Sequence, residues 1–279
     1  MMLFEELQQA FHHLNPREVR ELADRPFTVG LLAAEPEASR RLVEFLLPEG
    51  ISQRKAMRGA RHILQVEAES DFERCDFGLA QPGLAKPKYF YPFTNGVVDR
   101  VLDRHEDLWI PLARRFVAFR DPVMERLIRK IARENALVSV ATALPNVAGP
   151  LVSLPWSIAE FASDTAVLTL NQVRLAFLMA AASDSAVGYL EQRGQIASII
   201  TSAFGWRAVA RELVGKIPLG GGVVPKALVA YAGTWVVGMG LERYLRVGRG
   251  LTAEEKREQF ARAYQRGREL IHQLAGRTL

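Results

Sequence analysis

The sequence predicts a mainly α-helical protein: a C-terminal helical bundle or set of hairpins, with a small α/β region at the N-terminus. Three observations point there. From Val97 onward apolar residues recur at three- and four-residue spacings, punctuated by Pro and Gly. Two long uncharged stretches, Ala136 to Ala159 and Ala227 to Leu241, lie in that half. Short apolar or alternating runs of strand length lie before residue 80. The Pro- and Gly-rich stretch Leu79 to Gly96 marks the boundary, giving a small α/β region over 1–96 and a helical domain over 97–279.

The N-terminal elements follow in order. Phe4, Leu7, Phe11 and Leu14 fall on one helical face. Asn15-Pro16-Arg17-Glu18 then has the form of a capping box with proline at the first helical position. Phe27 to Ala33 is an apolar run of strand length. Pro36 opens a helix that Pro48 and Gly50 end, and His62 to Ala68 alternates like a strand, with Phe72 to Leu79 as its expected neighbour.

A strand, a short loop and a helix are the frame of a phosphate-binding loop, and the arrangement resembles the opening of small GTPases. The loop here is Ala33-Ala34-Glu35-Pro36-Glu37-Ala38-Ser39-Arg40. Ala38 stands where that resemblance implies glycine and Ser39 where it implies lysine. A helix N-terminus supplies only about half a positive charge, so Glu35 and Glu37 would repel a triphosphate. The chain has no Asn-Lys-x-Asp guanine motif and no convincing Asp-x-x-Gly between Asp76 and Gly83. The resemblance therefore implies a degenerate, pseudo-GTPase-like region, with no cofactor.

With 279 residues the chain can form one large domain or two ordinary ones. Hydrophobic residues make up 49% and charged residues 24%, as in globular proteins. A mean hydropathy of +0.01 is high for a soluble chain and low for a polytopic membrane protein, so composition leaves both open. Cys75 is the sole cysteine, which excludes an intramolecular disulfide and a Cys-x-x-Cys knuckle. The opening Met1-Met2-Leu3-Phe4-Glu5-Glu6 does not have the form of a signal peptide.

A net charge of +5 favours acidic partners, anionic lipid or nucleic acid. The positive charge is uneven: Leu108 to Arg133 holds seven cations against two anions, beside an apolar stretch. Val97 to Asn135 is expected to be helical, interrupted near Pro111 and Pro122. Its apolar stripe is Val101, Leu108, Leu112, Phe116 and Phe119, then Met124, Leu127, Ile128 and Ile131. This helix carries no known nucleic-acid reading motif, so a solvated or lipid-facing basic surface is the expectation. Tyr89-Phe90-Tyr91, in the preceding loop, is expected to pack onto a core rather than stack on a ligand.

Ala136 to Ala159 is long enough to cross a ~30 Å bilayer core, but Pro145, Asn146, Gly149, Pro150 and Pro155 bend it into a helical hairpin, re-entrant or buried in protein. Phe161 to Ala182 is a helix with Asp164, Asn171, Gln172 and Arg174 among apolar neighbours. Buried polar groups need partners, and Arg207 and Arg211, one helical turn apart, are available. Asp164, Asn171, Gln172, Arg207 and Arg211 thus form a candidate structural polar network rather than a catalytic or metal site. Gly215-Lys216 is not a phosphate loop, since Ala210 and Ile217 occupy two of its required positions. The small residues of Ala227 to Leu241 allow close helix approach, in water or in lipid. Thr252-Ala253-Glu254-Glu255 is a capping box opening the last helix.

Several of these segments together resemble one bacterial family. Ser163-Asp164 through Asn171-Gln172, Gly205-Trp206-Arg207, Arg211-Glu212-Leu213-Val214-Gly215-Lys216-Ile217-Pro218, the Gly220–Gly222 turn and Ala230-Tyr231-Ala232-Gly233-Thr234 are similar to domain of unknown function family 697. The similarity covers roughly 135–244. YcjF-like inner-membrane proteins are among the family's members, many joined to an Era-like GTPase domain. The resemblance implies a location at the cytoplasmic side of the cytoplasmic membrane and transfers no catalytic residue. The expectation is a non-enzymatic membrane-associated scaffold or regulator that meets an anionic membrane surface or bilayer and protein partners or itself, with nucleic acid disfavoured. The alternative is a soluble, cytoplasmic helical interaction module or homo-oligomer, and a nucleotide-binding enzyme is the third reading.

Overall fold

A computed structural model describes residues 14–84, 88–142, 164–201 and 223–275. The protein is mainly helical, with one small parallel four-stranded sheet near the N-terminus. It divides into two compact units. The α/β unit comprises Glu18–Glu125 with Ala181–Ala186, and the helical unit takes Met1–Arg17, Arg126–Ala180 and Val187–Leu279. By packing, Val97–Glu125 therefore belongs with the sheet, beyond the boundary at residue 96 that the sequence predicts.

Helix α1 (Pro16–Ala23) starts as its cap predicts, with Asn15 Oδ1 accepting the Arg17 N–H at 3.0 Å. Strand β1 (Val29–Leu32) leads to α2 (Pro36–Leu46), α3 (Gln53–Ala60) and β2 (Ile63–Gln65). A 3-10 turn (Glu69–Arg74) precedes β3 (Phe77–Ala80), followed by β4 (Phe90–Pro92), α4 (Val97–Arg104) and α5 (Trp109–Arg115). The strand order is β2-β1-β3-β4, all parallel. β1 and β3 are the central strands, and both are apolar on both faces, as a covered parallel sheet requires.

Phe90 of β4 lies across the sheet over two glycines. A Cβ on Gly78 would stand 2.1 Å from Phe90 Cε1, and one on Gly30 2.6 Å from its Cζ. Phe90 completes a small cluster with Val66 and Ala80, flanked by Leu32, Phe72 and Cys75. Tyr89-Phe90-Tyr91 had been expected in irregular loop. The prolines that argued against a strand there are tolerated because β4 is an edge strand with Pro92 at its last residue. The strand pairing also differs from expectation: β2 and β3 do not neighbour each other, because β1 lies between them.

Helix α6 (Val117–Ala141) runs through Pro122 without a break, contrary to the interruption expected there. Pro122 sits in the second turn and removes a single backbone donor. The chain bends instead at Phe116, whose extended backbone and fully buried ring separate α5 from α6. Every residue of the stripe from Val101 to Ile131 is buried.

In the helical unit, α7 (Asp164–Ala182), the helical segment 193–201, α8 (Val223–Val247) and α9 (Ala253–Ala275) accompany the remainder of α6. Glycine permits close approach of α6 and α8, since a Cβ on Gly238 would stand 2.6 Å from Ile128 Cγ1. Thr252 caps α9 reciprocally: its Oγ1 accepts the Glu255 N–H at 3.3 Å, and Glu255 Oε2 accepts the Thr252 N–H at 2.8 Å. Arg243 of α8 also donates to Glu255, tying the two helices together. The Tyr189 hydroxyl donates to the Leu14 carbonyl at 2.6 Å, and burial pushes its pKa up to about 12.

Among the described residues one helix is long and apolar enough to cross a membrane, Thr165–Ala182, and 78% of that window is buried inside the protein. Of the two stretches singled out in sequence, Ala227–Leu241 lies within α8. Residues 143–163 of the other lie outside the described residues, as do the first helix over 1–13 and the glycine turn over 202–222.

Candidate functional site

In a parallel α/β sheet a ligand would be held where the strand order reverses, beyond the C-terminal ends of the strands. Here that point lies between β1 and β3, at the turn that leads into α2. The turn is closed from within by Gln81, the residue after β3. Its N–H donates to the Leu32 carbonyl at 2.8 Å, and its side-chain Oε1 accepts the Ala34 N–H at 3.0 Å. One backbone amide of the turn, that of Ala34, is therefore already bonded.

The rest of the turn follows the same direction. Pro36, the first residue of α2, has no N–H to offer, and the Glu35 side chain makes no cap hydrogen bond. Glu37 adds a carboxylate in the first turn and pairs with Arg40 at 2.7 Å and Arg41 at 3.7 Å. Ser39, at the expected lysine position, donates its hydroxyl to Gln65 Oε1 at 3.1 Å. The positive end of α2 is thus complemented by its own acidic residues.

The second candidate, the polar network, lies in the core of the helical unit. Asn171 is fully buried, and its Nδ2 donates to Asn135 Oδ1 at 2.8 Å. Asn135 Nδ2 in turn donates to Thr234 Oγ1 at 2.8 Å and to the Leu168 carbonyl at 3.3 Å. Gln172 Nε2 reaches the same Thr234 hydroxyl at 3.3 Å. Three helices, α6, α7 and α8, are joined by this chain of neutral amides and one hydroxyl. Asn171 Oδ1 has no hydrogen-bond donor among the described residues.

Of the five residues expected in the network, Asn171 and Gln172 are brought together. Arg207, Arg211 and the Asp164 side chain lie outside the described residues. Asn135 and Thr234 are additional members that the sequence pattern marks only as isolated polar residues bordering or inside an uncharged apolar run. Gln172 of α7 and Thr234 of α8 meet directly at this contact. Arg174 pairs with Glu134 at 3.2 Å at the edge of the same α6–α7 seam.

No group of three or more His, Cys, Asp or Glu side chains suited to a metal converges among the described residues. His62 and His105, both half-buried, hold structural bonds. His62 Nδ1 meets the Phe27 carbonyl at 2.9 Å, and His105 Nε2 meets the Tyr91 hydroxyl at 3.1 Å. Comparisons of the chain with protein-family models, with curated proteins and with solved structures each return no match.

Proposed function

We propose that this protein is a non-enzymatic scaffold or regulator associated with the cytoplasmic face of a bacterial membrane, with a pseudo-GTPase-like α/β unit and a helical unit related to family 697. The observation that carries the non-enzymatic part is the β1–α2 turn. Gln81 takes up the Ala34 amide, and Glu35 and Glu37 oppose a phosphate there. The neutral network of Asn135, Asn171, Gln172 and Thr234 supports a scaffolding role, since its polar groups bind helices to one another. The membrane part rests on basic segments that adjoin apolar ones: Leu108 to Arg133 beside Ala136 to Ala159, and Leu241 to Leu279, with nine cations against five anions, beside Ala227 to Leu241.

Cell fractionation tests this reading. The full chain is expected to sediment with membranes at low salt. Retention through high salt and alkaline carbonate means that apolar helices sit in lipid, and release by salt means that basic surfaces hold it. Recovery in the soluble fraction throughout overturns the membrane reading. A soluble helical interaction module or homo-oligomer would then stand in its place, and the burial of Thr165–Ala182 within the protein favours that second reading.

A further inference from the structure

One cleft of the α/β unit carries far more positive charge than its carboxylates balance. It is lined by Lys55, Arg58, Arg114, Arg115 and Arg120 around the single carboxylate of Asp184, with Ile51 and Val117 as apolar wall. Asp184 has an almost fully buried side chain and sits in the left-handed region at φ +58, unusual for a residue with a Cβ. Arg58 grips it with both terminal nitrogens, at 2.7 and 3.4 Å, while Arg114 Nε lies 3.6 Å away. Arg114 and Arg115 also approach the more exposed Asp24, at 3.6 and 3.3 Å. The cleft thus sets five cations around Asp184, with Asp24 beside two of them.

The donors outnumber the acceptors in the same way. Nε of Arg58, of Arg114 and of Arg120 is buried in each case without a hydrogen-bond acceptor among the described residues. A buried donor left unsatisfied is costly; Arg114 Nε has only the two carboxylate oxygens at 3.6 Å to offset it, and Nε of Arg58 and of Arg120 has no acceptor among the described residues. Arg115 is held below the usual guanidinium value, first by burial and next by the neighbouring charge of Arg114. Such crowding of like charge is expected where a protein is built to receive an anion.

We propose that this cleft binds the terminal phosphate of a phosphomonoester. Planar guanidinium forks match the oxygens of a tetrahedral oxyanion, two at a time, better than they match a point anion. The internal space is only about 10 Å³, about enough for one water-sized atom. One phosphate oxygen enters while the others stay at the mouth with Lys55 and Arg120. A monoester offers that free end, whereas a diester phosphate is covered on two sides. Arg58 also borders a shallower hollow lined by Arg54, Met57 and Arg61, which would meet the remainder of the ligand with further cations and an exposed methionine. The same chemistry belongs to a soluble phosphorylated compound and to a lipid headgroup such as phosphatidic acid. This site is separate from the β1–α2 turn and stands whether or not the chain enters a membrane.

Two probes applied to the full-length protein separate the sources. Thermal melting in inorganic phosphate is compared with chloride of equal ionic strength, and flotation is measured with phosphatidylcholine vesicles containing phosphatidic acid or, separately, phosphatidylglycerol. Stabilisation by phosphate alone assigns a soluble ligand, and flotation stronger with phosphatidic acid than with phosphatidylglycerol assigns a lipid. In whichever arm responds, Lys55→Gln with Arg120→Gln is expected to weaken binding roughly tenfold or more, the loss of at least one charge-assisted hydrogen bond. Neither residue pairs with a carboxylate among the described residues, so circular dichroism should show an unchanged fold for this variant. Arg120→Lys, which keeps the charge but not the fork, should bind at an intermediate level. The proposal is overturned if neither probe binds, if the double variant binds like the native chain, or if both vesicle types float the protein equally and phosphate does not stabilise it.

Discussion

Phe90 shows how much one aromatic side chain settles in the small sheet. Its ring fills the space above Gly30 and Gly78, so both glycines are required by close approach rather than by backbone conformation. Gly78→Ala should destabilise the protein by about 1–3 kcal/mol, the usual cost of overpacking. The loss should shrink when Phe90 is replaced by Leu, a coupling that urea unfolding of the two single variants and the double would measure. His62 makes a second prediction at this scale. Burial, foremost, holds its pKa below 6.5, opposed by its bond to the Phe27 carbonyl and reinforced by Arg115. Burial also lowers His105, ahead of the raising effects of Asp107 and Asp76. In this window the unfolded chain binds more protons than the native one, so stability is full above about pH 6.5 and is lost as pH falls through the depressed native values. Melting temperature should therefore fall on acidification from pH 7 towards 5. Replacing both histidines by Gln should flatten that slope, and an unchanged slope would assign the acid sensitivity to carboxylates.

At the level of elements, the helix seams depend on a few polar residues within apolar surfaces. Asn135→Leu would orphan the buried Asn171 amide, while the Thr234 hydroxyl keeps its bond from Gln172. The orphaned amide should cost roughly 1–3 kcal/mol, read as a lowered urea midpoint with an unchanged slope. Thr252→Ala removes one half of the α9 capping box and should cost about 1 kcal/mol. The cap itself could be read directly from Thr252-Ala253-Glu254-Glu255, as could the α1 start at Asn15-Pro16, because caps are local chemistry. The apolar stripe from Val101 to Ile131 was equally legible, since helical periodicity and burial express the same geometry. β4 was not, because an edge strand needs only one partner and tolerates the prolines that signal a loop. Helix α3 is not legible in the sequence because Gln53–Ala60 has no apolar stripe, only Gly59 being buried. The hydrogen bonds of the polar network could not be inferred either. Asn135 and Thr234 lie 99 positions apart, and no spacing rule links residues at that separation. The β1–α2 turn was half legible: Glu35 and Glu37 announce their charge, but Gln81 reaches the turn only through the sheet.

For the whole molecule, chain order and compact units do not coincide. The chain leaves the α/β unit after Glu125 and returns to it for Ala181–Ala186 before going back to the helical unit. That short return is held by Asp184, which binds Arg58 at 2.7 Å in the α/β unit. Unfolding should accordingly be sensitive to a residue far in sequence from the sheet it stabilises. Asp184→Asn keeps the size of the side chain and tolerance of the left-handed backbone, removing only the charge. It should destabilise the full chain by about 1–3 kcal/mol, because Arg58 and Arg114 lose their buried counter-charge. A fragment ending at Glu125 lacks the returning segment altogether and should melt at a lower temperature than the full chain, with a broader transition. Measuring both by differential scanning calorimetry distinguishes two arrangements. If the fragment and Asp184→Asn are both weakened, the returning segment is part of what stabilises the α/β unit. If the fragment melts as sharply and as high as the full chain, that unit is self-sufficient, and Asp184 serves the basic cleft rather than the fold.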